Sequence, residues 1–538
     1  MRPGSTLDGL LAERARAHPD RAALQLPAGT GFRATSYARL DARVDAAAAG
    51  LRAAGLQPGM RTALLVPPTP DFFVLAFALL RLRAVPVLVD PGIGRDKVKG
   101  CLAEAEPQAF LGSPKAHLAR VLLGWAPSAR VLVTTGLVPV PGGRTLRRVE
   151  DDGRWRLPFT PPERPAGSPA AVLFTSGSTG PPKGVEHGED QLVAQAGLVR
   201  ELYDLGPADV SLSTFAPFAL FGPVLGMTTV VPRMDMTRPA DVVPSRVVGA
   251  ANRFGATVVF GSPALLDTVS RAGGSMPTVR RVISAGAPVP RSVQRRTRAM
   301  LGEGAQVHTP YGATEALPVA TIGSDELLQL PEDGICVGRP VPGVEVALVR
   351  VTDDPIAELT PDLLVEGVDE VGEVLVRGPV VSPAYADRPE ATAAAKVRWD
   401  GQVAHRMGDL ASRDAQGRLW FAGRKAHVVH TAAGPLHSVP CEEVFNLSPA
   451  VRRSALVGTG PAGASTPVLV VELEPGVAPS PALAQELLAL GAAHPRTRGI
   501  GRVLFHPRLP VDVRHNSKID RPVLAVWAAQ QPAADPRP

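Results

Sequence analysis

Cysteine is scarce in this 538-residue chain, and three thiols cannot staple a disulfide-built secreted module. Aromatic residues make up only 4%. Lysine is rare too: of 57 basic side chains only Lys97, Lys99, Lys115, Lys183, Lys396, Lys425 and Lys518 are lysines, so a lysine inside a motif is informative. Long hydrophobic runs are missing. Near the start the run Phe72 to Leu80 is cut by Arg81 and Arg83, too short to span a bilayer. Met1-Arg2-Pro3-Gly4 is followed by no apolar core, so no export signal is visible and a cytoplasmic protein is expected. The net charge of +6 is mild. The cluster Arg291, Arg295, Arg296 and Arg298 reads as a solvated helix face, not a nucleic-acid surface. With 45% apolar and 20% charged residues, a disordered chain is excluded.

The length suggests roughly two to four domains, and no repeat with a period of about 20–50 residues is present. Helix-like and strand-like stretches alternate. Residues 40–54, 72–83, 189–203, 242–254 and 263–271 read as helices, and 61–66, 85–89, 171–174, 228–231, 256–260 and 282–284 as strands. The turn Asp90-Pro91-Gly92 closes one strand, and residues 136–169 read as a long surface connection. This alternation predicts an α/β fold with mainly parallel sheets flanked by helices. Beyond residue 340 short β segments follow (373–377, 418–422), predicting a β subdomain. After it, strands near 428–429, 455–457 and 468–473 with helices near 441–446 and 481–493 suffice for a small α+β domain. The expected division near Gly423 gives domains 1–422 and 423–538.

One local pattern stands out. Thr175-Ser176-Gly177-Ser178-Thr179-Gly180-Pro181-Pro182-Lys183-Gly184 follows an apolar strand. Its glycines let backbone amides approach an anion, its hydroxyls add donors and Lys183 adds charge, which is phosphate-cradle chemistry. It is not a Walker A loop, because no Ser or Thr follows the lysine and Pro181-Pro182 blocks a helix start. No zinc-ligand spacing joins His405, His427, His430 and His437, and no G-x-S-x-G elbow occurs.

The loop resembles the phosphate-binding motif of the adenylate-forming enzymes (acyl-CoA synthetases, peptide-synthetase adenylation domains, luciferases). Further motifs stand in that family's order, from about residue 40 to 525. Ser284-Ala285-Gly286-Ala287-Pro288 is similar to the adenine-edge turn. Tyr311-Gly312-Ala313-Thr314-Glu315 matches a motif in which the ring stacks on adenine, the threonine touches the α-phosphate and the glutamate holds Mg²⁺. Gly408-Asp409-Leu410 resembles the ribose site, Gly423-Arg424-Lys425 the start of a mobile C-terminal domain, and Lys518 the adenylation lysine. Ala426 stands where many relatives carry a polar hinge residue. The resemblance implies an ATP-dependent, acid-activating ligase using ATP and Mg²⁺. Its catalytic residues would be Thr314, Glu315 and Lys518, with Arg424 among the nucleotide-binding residues. Cations and preorganised donors suit attack of one anion on another. For Lys518, charge neutralisation is expected rather than general-base action.

Two stretches depart from the acyl-CoA synthetases: Ser517, not glycine, precedes Lys518, and one loop reads Phe215-Ala216-Pro217-Phe218-Ala219-Leu220-Phe221-Gly222-Pro223. With Met234-Asp235-Met236, Val89-Asp90-Pro91-Gly92 and the stretch from Val439 to Phe445 they look most like the olefin β-lactone synthetases. That likeness implies adenylation of a 3-hydroxy (2-alkyl-3-hydroxyalkanoic) fatty acid, whose own hydroxyl then expels AMP and closes a β-lactone. Phe215, Phe218 and Phe221 are candidates for the acyl wall. A CoA synthetase or fatty acyl-AMP ligase is the alternative, sharing the first half-reaction, and a non-catalytic adenylate-binding scaffold a third reading. Family analogy also implies a complex with the upstream dehydrogenase and the downstream β-lactone decarboxylase, with no nucleic-acid partner.

Overall fold

The computed structural model describes residues 4–90, 93–174, 181–461, 463–511 and 519–532. The loop 175–180, the turn residues Pro91 and Gly92, and Lys518 therefore lie outside the described residues.

Two seven-stranded sheets arise from the helix–strand alternation. The first runs Arg144–Thr145, Val131–Thr134, Ala109–Gly112, Arg61–Leu65, Val85–Leu88, Ala171–Phe174 and Gly184–His187 in spatial order, all parallel except the last strand. The second runs Gln306–His308, Arg281–Ile283, Val258–Phe260, Val210–Ser213, Thr228–Val230, Ala22–Ala28 and Gly31–Ser36, parallel up to its terminal hairpin. One hydrophobic core joins both sheets through helices Tyr37–Ala53, Pro70–Arg81 and Glu189–Leu202. The helix Pro70–Arg81 is apolar on every side and buried from Phe72 on, as a helix between two layers must be. Its buried Arg81 is held by Asp41 and Asp45, each at 2.7 Å.

A third, antiparallel sheet includes Tyr311–Ala313, Ala316–Thr321, Ile335–Pro340, Leu419–Arg424 and Gln402–Arg413. Beyond it, residues 429–528 build two clusters that share no member with the preceding cores. The strands Val451–Thr459, Thr466–Leu473 and Val503–Phe505 pack there against helices Ser438–Asn446, Pro481–Ala493 and Arg521–Gln530.

Two expectations need correction. The stretch 136–169 is not a loose connection: it contains the strand Arg144–Thr145 and the helix Leu146–Arg154, capped by the Thr145 hydroxyl, with Leu146 and Val149 buried. Three arginines and three acidic residues among its nine positions hid an amphipathic pattern too short to read as periodic. The arginine face of helix Arg291–Arg298 is also not simply solvated. Arg296 meets Asp267 and Arg298 meets Asp325, both at 2.6 Å, and Arg295 pairs with Glu332.

Candidate active site

The segment from Tyr311 to Glu315 is a strand followed by a tight turn. A Cβ on Gly312 would lie 2.5 Å from the Ala316 carbonyl oxygen, so the hairpin closes only with glycine there. The turn delivers Tyr311 and Glu315 to different partners. Tyr311 Oη donates to Asp409 Oδ2 at 2.8 Å, and Arg424 Nε reaches Asp409 Oδ1 at 2.9 Å. Asp409 and Arg424 are cross-strand neighbours in the register of Gln402–Arg413 and Leu419–Arg424. Burial, then the neighbouring Asp409 charge, pushes the Tyr311 hydroxyl well above the usual tyrosine range, so it stays a donor.

Glu315 Oε1 accepts a 2.8 Å hydrogen bond from Tyr385 Oη, and its carbonyl accepts from the Ser382 amide at 2.7 Å. The Lys183 ammonium, just after the phosphate-loop motif, lies 4.9 Å from the Tyr385 ring centre. Lys396 Nζ lies 5.9 Å from the same ring and donates to Ser382 Oγ at 2.9 Å. Burial pulls the Lys396 ammonium down to about 7, a fall that Glu315 opposes. Two more buried basic groups adjoin it. Burial, reinforced by Lys396, lowers His187 to about 4 and holds His405 well below the usual histidine range. Both ring nitrogens of His187 are without a hydrogen-bond partner.

Tyr311, Glu315, Asp409, Tyr385, His187 and His405 face one continuous cleft, lined also by Gly286, Ala287, Pro288, Thr314, Lys183 and Arg424, while Lys396 lies behind that lining. The turn carrying Gly286 leaves strand Arg281–Ile283 at the same end of the second sheet. The opposite wall is apolar. Phe218 stacks on Phe260 with ring centres 4.0 Å apart, Phe215 lies 6.0 Å from Phe260, and Phe221 meets Phe218 edge-on at 5.9 Å. Phe215, Phe218 and Phe221 pack against the main core while lining the cleft, so they are both wall and core margin. A polar stretch of the cleft lining, with Lys183, Glu315, Asp409 and Arg424, thus shares the cleft with an aromatic wall that can hold a hydrocarbon.

The structure brings together Lys183, Gly286, Ala287, Pro288, Tyr311, Gly312, Thr314, Glu315, Asp409, Arg424, Phe215, Phe218 and Phe221 around that cleft. Thr175, Ser176, Gly177, Ser178, Thr179, Gly180 and Lys518 fall outside the described residues. Sequence reasoning missed Phe260, Tyr385, His187 and Lys396, and considered His405 only in setting a zinc site aside. The rarity of lysine is the one signal that singles out Lys396. Glu315 fits a hard cation, since a carboxylate in the cleft supplies oxygen. Among the described residues no group of three or more His, Cys, Asp or Glu side chains converges to hold a metal alone, so such an ion would share its ligands with a nucleotide.

A parallel α/β body with a cleft that joins a polar rim to an apolar wall is an architecture suited to an enzyme that activates an organic acid. Residues 11–386 match the family model described as AMP-binding enzyme, and the chain belongs to that family of ATP-dependent, adenylate-forming ligases. It is 49% identical over 97% of both chains to a protein named olefin beta-lactone synthetase from Xanthomonas campestris pv. campestris. A protein of the same name from Stenotrophomonas maltophilia is likewise 49% identical, again over 97% of each chain. Among solved structures, the amide bond synthetase McbA from Marinactinospora thermotolerans superposes with a TM-score of 0.79 at 26% identity, covering 97% of this chain and 100% of that one. The O-succinylbenzoate Coenzyme A synthetase of Bacillus subtilis, in complex with ATP and magnesium ion, shares the fold, with a TM-score of 0.74 at 20% identity over 95% of this chain and 98% of that one. No helix among the described residues is long and apolar enough to cross a membrane.

Proposed function

We propose that this protein is an ATP-dependent β-lactone synthetase acting on 3-hydroxy acids with long alkyl chains, in particular 2-alkyl-3-hydroxyalkanoic acids. The observation that carries the reading is the 49% identity, over nearly the whole chain, to proteins named for that activity. The polar rim and the Phe215/Phe218/Phe260 wall support it, because head group and tail must share one cleft.

In the first step a carboxylate oxygen attacks the α-phosphorus, the bond to the β-phosphate bridging oxygen breaks, and pyrophosphate leaves. Asp409 accepts hydrogen bonds from the ribose hydroxyls while Tyr311 lies against adenine at the Gly286-Ala287-Pro288 turn. Glu315, with phosphate oxygens, would hold Mg²⁺, which when bound neutralises charge on the phosphates. Residues 175–180 and Lys183 cradle the phosphates, Thr314 contacts the α-phosphate, and Lys518 neutralises charge between the two anions. In the second step the substrate's 3-hydroxyl oxygen attacks the acyl carbon, the bond to AMP breaks and the hydroxyl proton passes to water. The nucleophile is already tethered, so orientation and water exclusion are what the site supplies. Phe215, Phe218 and Phe221 hold the alkyl chains.

We place the division between the nucleotide-binding domain, 1–422, and the lid, 423–538, near Gly423. A cytoplasmic enzyme working with the dehydrogenase that makes the hydroxy acid and the decarboxylase that consumes the lactone completes the reading. The test supplies ATP, Mg²⁺ and a 3-hydroxy acid without CoA and looks for lactone by mass spectrometry. Absence of lactone, with thioester forming once CoA is added, selects the CoA ligase instead. Lys518→Ala should keep nucleotide affinity and lose most pyrophosphate release.

A further inference from the structure

Tyr385 lies outside every motif that the sequence made legible, yet it touches two of them. Its segment is zipped onto the strand that leaves the phosphate loop. The Ala386 amide donates to the Gly184 carbonyl at 2.8 Å, the Glu186 amide donates to the Ala384 carbonyl at 3.1 Å, and Val185 bridges Tyr385. From there its hydroxyl crosses to Glu315 Oε1, 70 positions away in sequence, at 2.8 Å. Its ring meanwhile faces the Lys183 ammonium at 4.9 Å, within cation–π range.

A glutamate side chain has three rotatable bonds, and a carboxylate that must meet a cation bound by phosphates gains from being held in one rotamer. The ring quadrupole is a weak partner for an ammonium, one that a phosphate displaces. A tyrosine hydroxyl keeps its proton at working pH, so toward a carboxylate it acts as the donor.

We propose that Tyr385 is a positioning residue that couples the cation-binding carboxylate of Glu315 to the phosphate loop, its hydroxyl fixing the carboxylate and its ring seating Lys183. The inference rests on the nucleotide-site part of the functional reading and not on lactone closure.

Tyr385→Phe removes the hydroxyl and keeps the ring; Tyr385→Leu removes both. Mn²⁺ binding in the presence of a non-hydrolysable ATP analogue, followed by electron paramagnetic resonance, should weaken about tenfold in Tyr385→Phe, the loss expected for one hydrogen bond to a charged group. The Mg²⁺ concentration for half-maximal pyrophosphate release should rise by a similar factor. AMP affinity and melting temperature should stay near wild type, because AMP carries no β- or γ-phosphate. Tyr385→Leu should weaken ATP analogue binding further without Mn²⁺. Unchanged Mn²⁺ affinity in Tyr385→Phe overturns the proposal. So does a parallel fall in Mn²⁺ affinity, AMP affinity and melting temperature, which marks a merely structural role. Wild-type protein that releases no pyrophosphate with any 3-hydroxy acid defeats the functional reading instead, and the Mn²⁺ arm still decides on Tyr385.

Discussion

The Tyr311 hydroxyl donates a hydrogen bond to Asp409 across 98 positions of sequence, at 2.8 Å, and so fastens the Tyr311–Ala313 hairpin to the long strand Gln402–Arg413. Neither residue is placed by its own motif alone. The hairpin sets the ring, the long strand Gln402–Arg413 sets the carboxylate, and Arg424 holds the carboxylate from the neighbouring strand.

Tyr311→Phe keeps the ring and removes that hydrogen bond. A bond to a charged group contributes roughly 1.5–3 kcal/mol, so AMP affinity should fall about tenfold while the fold is retained. Isothermal titration with AMP measures it. Affinity equal to wild type would show that Arg424 alone orients Asp409.

Phe218 lies face to face with Phe260, ring planes 19° apart. Replacing it with alanine opens the apolar wall and should lower kcat/KM for long-chain acids, each buried methylene counting for roughly 0.8 kcal/mol, while short-chain acids lose little. Phe218→Trp should do the reverse of widening, excluding the longest chains first. Competition between acids of different length in one pyrophosphate-release assay reads the ratio directly. A uniform loss for all lengths places the ring in the core and not on the substrate.

Lys396 gives a pH dependence whose sign is fixed. Its ammonium is brought down to about 7 from 10.5, so the unfolded chain binds the proton more tightly than the folded one. Stability from this group is complete above the unfolded value and is lost as pH falls toward 7. The urea midpoint of wild type should therefore climb more steeply than that of Lys396→Met between pH 7 and about 10. Parallel curves would mean that Lys396 keeps its ordinary proton affinity.

Helices Tyr37–Ala53 and Leu146–Arg154 cross where both are glycine. A Cβ on Gly50 would fall 1.9 Å from the Val149 carbonyl oxygen, and one on Gly153 would fall 1.9 Å from the Ala46 carbonyl oxygen. Backbone atoms cannot step aside as a side chain can, so Gly153→Ala should cost about 3 kcal/mol. The melting temperature would drop by several degrees, with AMP affinity unchanged at temperatures where the protein is folded. A neutral substitution would show that the helices can separate without loss.

Most of the parallel body was legible because each helix and strand there is a local statement: residues 72–80 are an unbroken apolar run, and 171–174 are an apolar run before a glycine-rich loop. The helix Leu146–Arg154 was not, since charged residues surround its two apolar core positions and its packing rests on a glycine of another helix, Gly50. In the cleft, Tyr311, Glu315 and Asp409 were singled out by motifs that keep a known family's order, whereas Phe260 was legible only as the end of a strand, and Tyr385 and His187 sit in stretches with no pattern of their own.

By itself the sequence determined the class of chemistry: a glycine- and hydroxyl-rich loop ending in a rare lysine suits an anion by its backbone and charge, and the Tyr-Gly-Ala-Thr-Glu stretch adds a resemblance to a known family. Only the tertiary structure decided which side chains stand behind them. Tyr385 reaches Glu315 because one segment pairs with the strand after the phosphate loop while the other is a turn of a different sheet. Contacts of that kind depend on sheet order and burial, which bring together residues far apart along the chain and leave no local trace in it.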